Sequence, residues 1–132
     1  MKHIGIIGSR KRNSEHDYKC CVERFLAIYE KGDIIVSGGC PVGGDYFAEL
    51  IAKKYDIPII LFPADWDKHG KGAGFIRNTQ IARKSDILIA IVTLDRSKCR
   101  GTMDTVSKVA KLNKDVILDD NEDDFDPENI CD

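Results

Sequence analysis

Four glycines with backbone N–H groups suited to binding an anion are concentrated in one short stretch of this 132-residue chain. The run Ser37–Asp45 reads Ser-Gly-Gly-Cys-Pro-Val-Gly-Gly-Asp and follows the apolar, β-branched segment 34–36. Glycine permits positive φ and leaves backbone N–H groups accessible, while the start of a helix carries a partial positive charge. A strand that enters a helix through such a turn is typical of a phosphate or carboxylate site. The same pattern also fits a tight turn without a ligand.

Basic side chains follow other apolar segments of the chain, each close to a glycine, a serine or a threonine. They come after segments 3–9, 57–63 and 86–92, and they are Arg10, Lys11, Arg12, Lys68, Lys71, Arg77, Arg96, Lys98 and Arg100. Because the carboxyl ends of parallel strands open on one edge of a sheet, we expect these residues on one rim with the glycine-rich turn. On this rim, Ser9 and Thr102 are predicted to converge on one anion.

The segments that must position these residues alternate between strand and helix patterns. The predicted strands are apolar throughout and cover residues 3–9, 34–37, 57–63, 86–92 and 116–118. Strands of this kind, separated by helices, indicate a parallel sheet that is covered on both faces. We therefore predict an α/β fold, a Rossmann-like doubly wound three-layer sandwich with a mostly parallel five-stranded sheet.

Length and charge divide the chain into a body and a tail. A chain of 132 residues, 42% hydrophobic and 32% charged, is typical of one soluble globular domain. Residues 119–132 contain eight acids and no base, so residues 1–118 hold all 20 basic residues against 14 acids. We predict a Rossmann-like domain over 1–118 and a disordered acidic tail over 119–132. The alternative is a tail that folds over the basic rim and competes with anions.

Membrane, secretion and metal signals are weak in this sequence. No apolar run approaches a membrane span and the N-terminus lacks the apolar region of a secretory signal, so we expect a cytoplasmic protein without a membrane partner. The five cysteines are an odd number, which favours free thiols. His16 and Cys20 could share a helix face, but two ligands do not make a zinc site. We therefore expect no metal and no cofactor.

Several of these stretches resemble one protein family. The similar segments are Ser37–Asp45, Phe62–Trp66, His69–Gly74, Arg77-Asn78 and Gly101-Thr102. They resemble the YspA/cpYpsA-related branch of the SLOG superfamily, which also includes the LOG phosphoribohydrolases and the DNA-uptake protein DprA (Smf). The resemblance runs from about Ile4 to Leu118, and the segment 65–78 is its most specific part.

The resemblance implies a Rossmann-like fold that binds nucleotides or nucleotide-derived signals, often as a homo-oligomer. Together with the loops described above, it leads us to predict a set of ligand- and phosphate-binding residues. They are Gly8, Ser9, Arg10, Ser37, Gly38, Gly39, Gly43, Gly44, Asp45, Trp66, Lys71, Arg77, Asn78, Gly101 and Thr102. Our first hypothesis is a sensor or carrier module that binds a nucleotide-derived small molecule through its phosphate. In it, Trp66 stacks on a base, unless the ring only anchors its loop to the body.

The second hypothesis is an N-glycoside hydrolase that acts on a nucleoside 5′-monophosphate, the activity that resemblance to the LOG enzymes implies. Those enzymes use an arginine and the glutamate of a PGGxGTxxE motif. Gly101 and Thr102 match that motif, whereas Thr105 stands in place of the glutamate, so phosphate binding carries over and the catalytic carboxylate does not. Asp45 and Asp104 are the candidate catalytic carboxylates, although either could simply cap or support its helix.

The third hypothesis is a single-stranded nucleic-acid binder, by analogy with DprA. Proteins of this kind combine a basic groove with several exposed aromatic side chains. The chain offers only a modest basic excess in residues 1–118 and aromatic residues that make up 8% of its length. We therefore rank this hypothesis last and do not favour nucleic acid as a partner.

Overall fold

A computed structural model of the chain describes residues 1–122, along which strands and helices alternate. The elements are β1 His3–Gly8, α1 Glu15–Ile28, β2 Ile34–Ser37, α2 Gly44–Tyr55, β3 Ile59–Leu61, α3 Trp66–His69, α4 Ala73–Lys84, β4 Ile87–Ile91, α5 Arg100–Lys111 and β5 Asp115–Asp119. Short 3-10 turns cover Gly70–Gly72 and Arg96–Lys98. None of the helices in these residues combines the length and the apolar character needed to cross a membrane.

The strands of residues 1–122 form one parallel sheet in the order β3-β2-β1-β4-β5. The central strand β1 pairs with β2 on one side and with β4 on the other, so that Gly5 lies opposite both Val36 and Leu88. The direction in which strands are added therefore reverses beside β1, which is the switch point of a doubly wound fold. This confirms the predicted Rossmann-like α/β fold, with a sheet that is entirely rather than mostly parallel.

Apolar side chains are buried on both faces of the sheet. On one face, Ile6 and Ile35 pack with Phe25 of α1 and Phe47 of α2. On the other face, the strands pack against α4 and α5, whose Val109 is fully buried. Successive side chains of a strand point to opposite faces, so strands that are apolar throughout require cover on both sides.

The turn from β2 to α2 brings this helix directly against the end of β1. A Cβ atom at Gly44, the first residue of α2, would overlap the backbone of Ile7 and Gly8. Gly43 has a φ of 78°, and a Cβ atom there would overlap the carbonyl oxygen of Ser9. Both glycines therefore permit close contact between a helix and a strand, a packing role that the sequence analysis did not give them.

A buried ion-pair cluster fixes the loop after β1 to the end of β5. Arg12 is fully buried; its Nε donates to Asp17 at 2.9 Å and its Nη1 donates to Asp119 at 2.9 Å. Burial alone would raise the pKa of Asp119, but hydrogen bonds from Arg12 and Arg24 outweigh it and hold this pKa below its ordinary value. The expectation that Arg12 belongs to the anion-binding rim is wrong, because its guanidinium is enclosed by these partners.

The folded body continues past the boundary that we predicted at position 118. Asp119 is the last residue of β5. Asp120 accepts a hydrogen bond from Arg96 at 3.0 Å, and Glu122 accepts one from the backbone N–H of Leu94, after β4, at 2.7 Å. The first residues of the predicted acidic tail therefore belong to the body. The predicted disorder of the tail otherwise concerns 123–132, which lie outside the described residues.

Candidate functional site

A cleft of about 540 Å³ opens beside β1 and β4, at the carboxyl ends of the strands. Its walls come from the loops after β1, β2, β3 and β4, together with parts of α4 and α5. The loops converge because parallel strands end on the same edge of the sheet. In doubly wound folds this edge, at the switch point, is where ligands bind.

Most of the residues predicted to bind a ligand lie together in this cleft. Those that line it are Gly8, Ser9, Arg10, Gly38, Gly39, Asp45, Trp66, Arg77, Asn78, Gly101 and Thr102. The topology of the sheet brings them together although they are spread over the chain from residue 8 to residue 102. Their contact with a ligand stays a prediction.

The other predicted ligand-binding residues lie outside the cleft wall. Ser37 is buried, and its hydroxyl donates to the carbonyl oxygen of Ile6 at 2.6 Å. Gly43 and Gly44 pack against the end of β1 instead. Lys71 is exposed in the 3-10 turn between α3 and α4, away from the cleft, because the loop after β3 contains a short helix that the sequence analysis did not predict.

The cleft also contains residues that the predicted site omitted. Lys11, Lys98 and Arg100 were expected on the basic rim, but we did not include them among the ligand-binding residues, and all three line the cleft. Cys40 and Thr105 also line the cleft, although the sequence analysis named them only as parts of motifs and not as ligand-binding residues. The signal for Cys40 was its position directly after Gly38 and Gly39, both of which we predicted in the site. Thr105 lies one helical turn after the Gly-Thr pair, on the same face of α5.

The start of α5 forms one wall of the cleft. Gly101 and Thr102 lie in its first turn, where backbone N–H groups have no acceptor within the helix. A Cβ atom at Gly101 would meet no other atom within 4 Å, so the backbone is open to a ligand. Free amides and the positive end of the helix dipole together can hold a phosphate.

The loops after β1 and β4 face each other across this wall. The hydroxyl and amide of Ser97 donate to Asp95 and hold its pKa below the ordinary value, and the charges of Lys98 and Lys11 lower this pKa further. The charges of both ammonium groups therefore act on the same carboxylate, although the two lysines belong to loops far apart in the chain. Both lysines line the cleft, as the predicted basic rim implied.

The opposite wall of the cleft holds the carboxyl group of Asp45, at the start of α2. Its Oδ2 accepts a hydrogen bond from the backbone N–H of Cys40 at 3.1 Å and lies 3.9 Å from Nη1 of Arg77. Burial raises the pKa of Asp45 and outweighs both the Cys40 hydrogen bond and the charge of Arg77. A carboxyl group with a raised pKa beside a cleft can exchange a proton with a ligand.

Asn78 connects the two walls by fixing Arg77 to the first turn of α5. Its Oδ1 accepts from Nε of Arg77 at 3.1 Å, while its Nδ2 donates to the carbonyl oxygen of Gly101 at 3.2 Å and to Asp104 at 3.0 Å. Arg77 also lies 3.4 Å from the carbonyl oxygen of Gly38. The guanidinium is therefore held in place before any ligand arrives.

Asp104, the second candidate catalytic carboxylate, does not line the cleft. It accepts a hydrogen bond from Asn78 and forms an ion pair with Lys108, one turn further along α5. Successive residues of a helix are rotated by about 100°, so Asp104 points aside while Thr105 reaches the cleft. Among residues 1–122, Asp45 is thus the one acidic residue in the cleft wall.

Trp66 lies on the rim of the cleft, with 56% of its surface exposed. Its ring packs beside Gly74, where a Cβ atom would lie 3.4 Å from the ring. A side chain that only anchored the loop would be more deeply buried. The exposed part of this ring offers a surface on which a base can stack.

Sheet order and cleft position define the class of this protein, a Rossmann-like α/β fold with a candidate ligand site at the switch point. No family model matches the chain, and no curated protein matches it in sequence. Its fold is similar to that of DNA processing protein A (DprA) from Helicobacter pylori, a protein described by its unique single-stranded DNA binding mode. The TM-score is 0.68 at 19% identity, over 98% of this chain and 70% of that chain.

This similarity supports the distant relation to DprA that the sequence motifs implied. At 19% identity it shows a common fold and does not extend to function. The similarity nevertheless contradicts our expectation that nucleic acid is an unlikely partner. A protein of the same fold binds single-stranded DNA, and we withdraw that expectation.

Proposed function

We propose that the cleft binds a nucleotide or a nucleotide-derived molecule through its phosphate and that the protein is a sensor or carrier of this ligand. The observation that carries the proposal is the convergence of the α5 start, the Ser9-Arg10 loop and Arg77 on one cleft. Open amides and cationic side chains at one place favour a phosphate. Trp66, on the rim of the same cleft, supplies a stacking surface for the base.

We also infer that the chain is a distant relative of the SLOG superfamily. The fold that it shares with DprA supports this relation, since the superfamily includes DprA. The closer relation to the YspA/cpYpsA-related branch rests on the motifs of the sequence. Of the functions found in this superfamily, nucleotide binding is the one that the cleft residues favour most.

Single-stranded DNA is the second candidate ligand, because DprA of the same fold binds it. Proteins that bind single strands track the phosphates with basic side chains and stack the bases on aromatic rings. The basic side chains of the cleft and the exposed ring of Trp66 are suited to both tasks. A free nucleotide is our first candidate, since one cleft of about 540 Å³ holds these residues and Trp66 is the one tryptophan, tyrosine or phenylalanine in its wall among residues 1–122.

N-glycoside hydrolysis is a third candidate, which depends on Asp45. A carboxyl group with a raised pKa could protonate a departing base or orient a water molecule at the sugar. Because Thr105 takes the place of the LOG glutamate, the acid would come from α2 and not from α5. This activity requires the same phosphate-binding cleft and therefore adds a step to the first proposal.

Thermal unfolding with and without ligands tests the proposed binding. A ligand that binds only the folded chain raises Tm by mass action. We expect nucleoside phosphates to raise Tm and nucleosides without phosphate to have no effect. The shift should be lost in Arg10→Gln, which removes a cation from the cleft, and kept in Lys53→Gln, at the far end of α2. If no nucleoside phosphate changes Tm, the proposal is wrong.

Two further measurements distinguish the candidate functions. Chromatography after incubation detects free base, and release that Asp45→Asn abolishes would favour the hydrolase. Binding of an oligodeoxynucleotide that weakens steeply with added salt would favour a single-stranded DNA partner. A rise in Tm without base release and without oligonucleotide binding is the result expected for a sensor or carrier.

A further inference from the structure

The cleft carries more positive charge than one phosphate requires. Within the described part of the chain, its wall contains one carboxyl group and five cationic side chains, those of Arg10, Lys11, Arg77, Lys98 and Arg100. A terminal phosphate group carries about two negative charges at neutral pH. A nucleoside monophosphate and Asp45 together would therefore leave about two of the five cationic charges without a counter-charge.

Most of these cations form no ion pair in the described chain, although the charges of Lys11 and Lys98 act on the carboxylate of Asp95. Arg77 is held by its neighbours, but no acidic side chain of residues 1–122 forms an ion pair with the other four. In the same two loops, Arg12 and Arg96 are paired with Asp119 and Asp120. The loops after β1 and β4 thus contain two kinds of cation, one paired within the fold and one turned to the cleft.

Repulsion among the cations of the cleft favours a ligand with several negative charges. Like charges that share a cleft raise its potential, because low-dielectric walls screen them less than open water does. Binding of each further anionic group relieves part of this repulsion. The size of the cleft, about 540 Å³, falls within the range of about 300–1,000 Å³ that holds nucleotide-sized ligands.

We propose that the ligand presents at least two successive phosphoryl groups to the cleft. This inference rests on the proposed phosphate binding and goes beyond it by naming the class of ligand. One phosphoryl group is placed at the start of α5, and the next is placed among the cationic side chains of the loops after β1 and β4. The chemistry is shared by the diphosphate or triphosphate of a free nucleotide and by consecutive phosphodiesters of a single strand.

Isothermal titration calorimetry with AMP, ADP and ATP, in EDTA so that Mg²⁺ does not neutralise the phosphates, tests this proposal. We expect the affinity to rise by about tenfold with each added phosphoryl group and to fall more steeply for ATP than for AMP between about 50 and 200 mM salt. Pyrophosphate should likewise bind more tightly than inorganic phosphate. Equal affinities for AMP, ADP and ATP would overturn the inference.

Variants in the loop after β4 and in the first turn of α5 test whether the preference for ATP over AMP arises in the cleft. Lys98→Gln and Arg100→Gln change exposed side chains, so both proteins should fold with an unchanged Tm. Each is expected to reduce the ratio of ATP to AMP affinity, whereas Lys111→Gln, in the last turn of α5, should leave the ratio unchanged. A ratio that persists in both loop variants would contradict the proposed placement of the phosphoryl groups.

A competition experiment identifies the source of the phosphoryl groups. A single-stranded oligothymidylate of about 12 nucleotides is titrated into the protein with ATP bound. Displacement of ATP would support successive phosphodiesters as ligand, and persistence of ATP would support a free di- or triphosphate. Failure of AMP, ADP, ATP and the oligonucleotide alike to bind would instead disprove the proposed function, and with it the inference.

Discussion

Neighbouring basic residues have opposite roles in the loop after β1. Arg10 lines the cleft, whereas Arg12, two residues on, is fully buried and paired with Asp17 and Asp119. The backbone N–H of Arg12 donates to the carbonyl oxygen of Ser9 at 3.1 Å, which closes a turn and directs the second arginine inward. The basic run in the sequence predicted a rim of positive charge, but only the turn determines which arginine faces the cleft.

Asp45 makes the folded protein less stable as the pH rises. Its pKa is raised in the fold above the value of 3.8 for an unperturbed aspartate, so the folded state binds this proton more tightly. The stability that the proton contributes is present at low pH and is lost as the pH rises from 3.8 through the folded pKa. Asp45→Asn should remove this contribution to the pH dependence and leave stability at pH 7 unchanged or higher by about 1 kcal/mol.

Urea unfolding of wild type and Asp45→Asn at several pH values between about 4 and 8 measures this effect. The difference between the two proteins isolates Asp45 from other titrating groups. Asp67→Asn, in the exposed first turn of α3, is the matched control and should keep the pH dependence of the wild type. A constant difference between wild type and Asp45→Asn at every pH would contradict the burial of an acid with a raised pKa.

The glycine-rich element after β2 serves two purposes in its two halves. Gly38 and Gly39 line the cleft, and Gly39 has a φ of 80° with open space beside it. Gly43 and Gly44 allow α2 to begin against β1. The sequence indicated a strand, a turn and a helix here because the glycines separate two apolar patterns. The sequence could not distinguish glycines that face the cleft from glycines that face a strand, since that depends on where β1 ends.

Gly44 and Gly101 both lie in the first turn of a helix. Alanine substitutions at the two positions should therefore distinguish a glycine packed against a strand from a glycine in open space. Gly44→Ala places a methyl group against backbone atoms of β1, which cannot move aside as a side chain can, and should cost about 3 kcal/mol of stability. Gly101→Ala occupies the first turn of α5 in open space and should leave stability unchanged or raise it by up to about 1 kcal/mol. Urea unfolding of both variants measures the contrast, and equal losses would refute the packing role of Gly44.

At the scale of the whole molecule, the sequence predicted the layers of the fold and the edge that carries the cleft. Apolar strands that alternate with helices allow few arrangements, and parallel strands have all their carboxyl ends on one edge of the sheet. The sequence did not reveal the partners of the acidic residues. Asp104 fixes Asn78, and Asp119 neutralises Arg12 across the molecule. Such pairings join positions distant in the chain, so the residues next to a charged side chain in the sequence do not indicate its partner.

The position of Asp119 predicts a sharp stability difference between two truncated chains. A chain that ends after Leu118, the predicted boundary, leaves the guanidinium of Arg12 buried without this partner and should lose about 3–5 kcal/mol. A chain of residues 1–122 keeps the pair and should not show this loss. The pKa of Asp119 is lowered in the fold, so the gain from the pair is present above the unfolded pKa and lost as the pH falls through the folded pKa. Urea unfolding at neutral pH compares the chains, and equal stability would rule out this role.

The location of Trp66 has a practical consequence. The chain contains one tryptophan, and that indole forms part of the rim of the cleft with more than half of its surface in water. Indole emission depends on the polarity around the ring and on stacked neighbours that quench it. Fluorescence of the unlabelled protein is therefore an optical reporter of cleft occupancy, without background from a second indole.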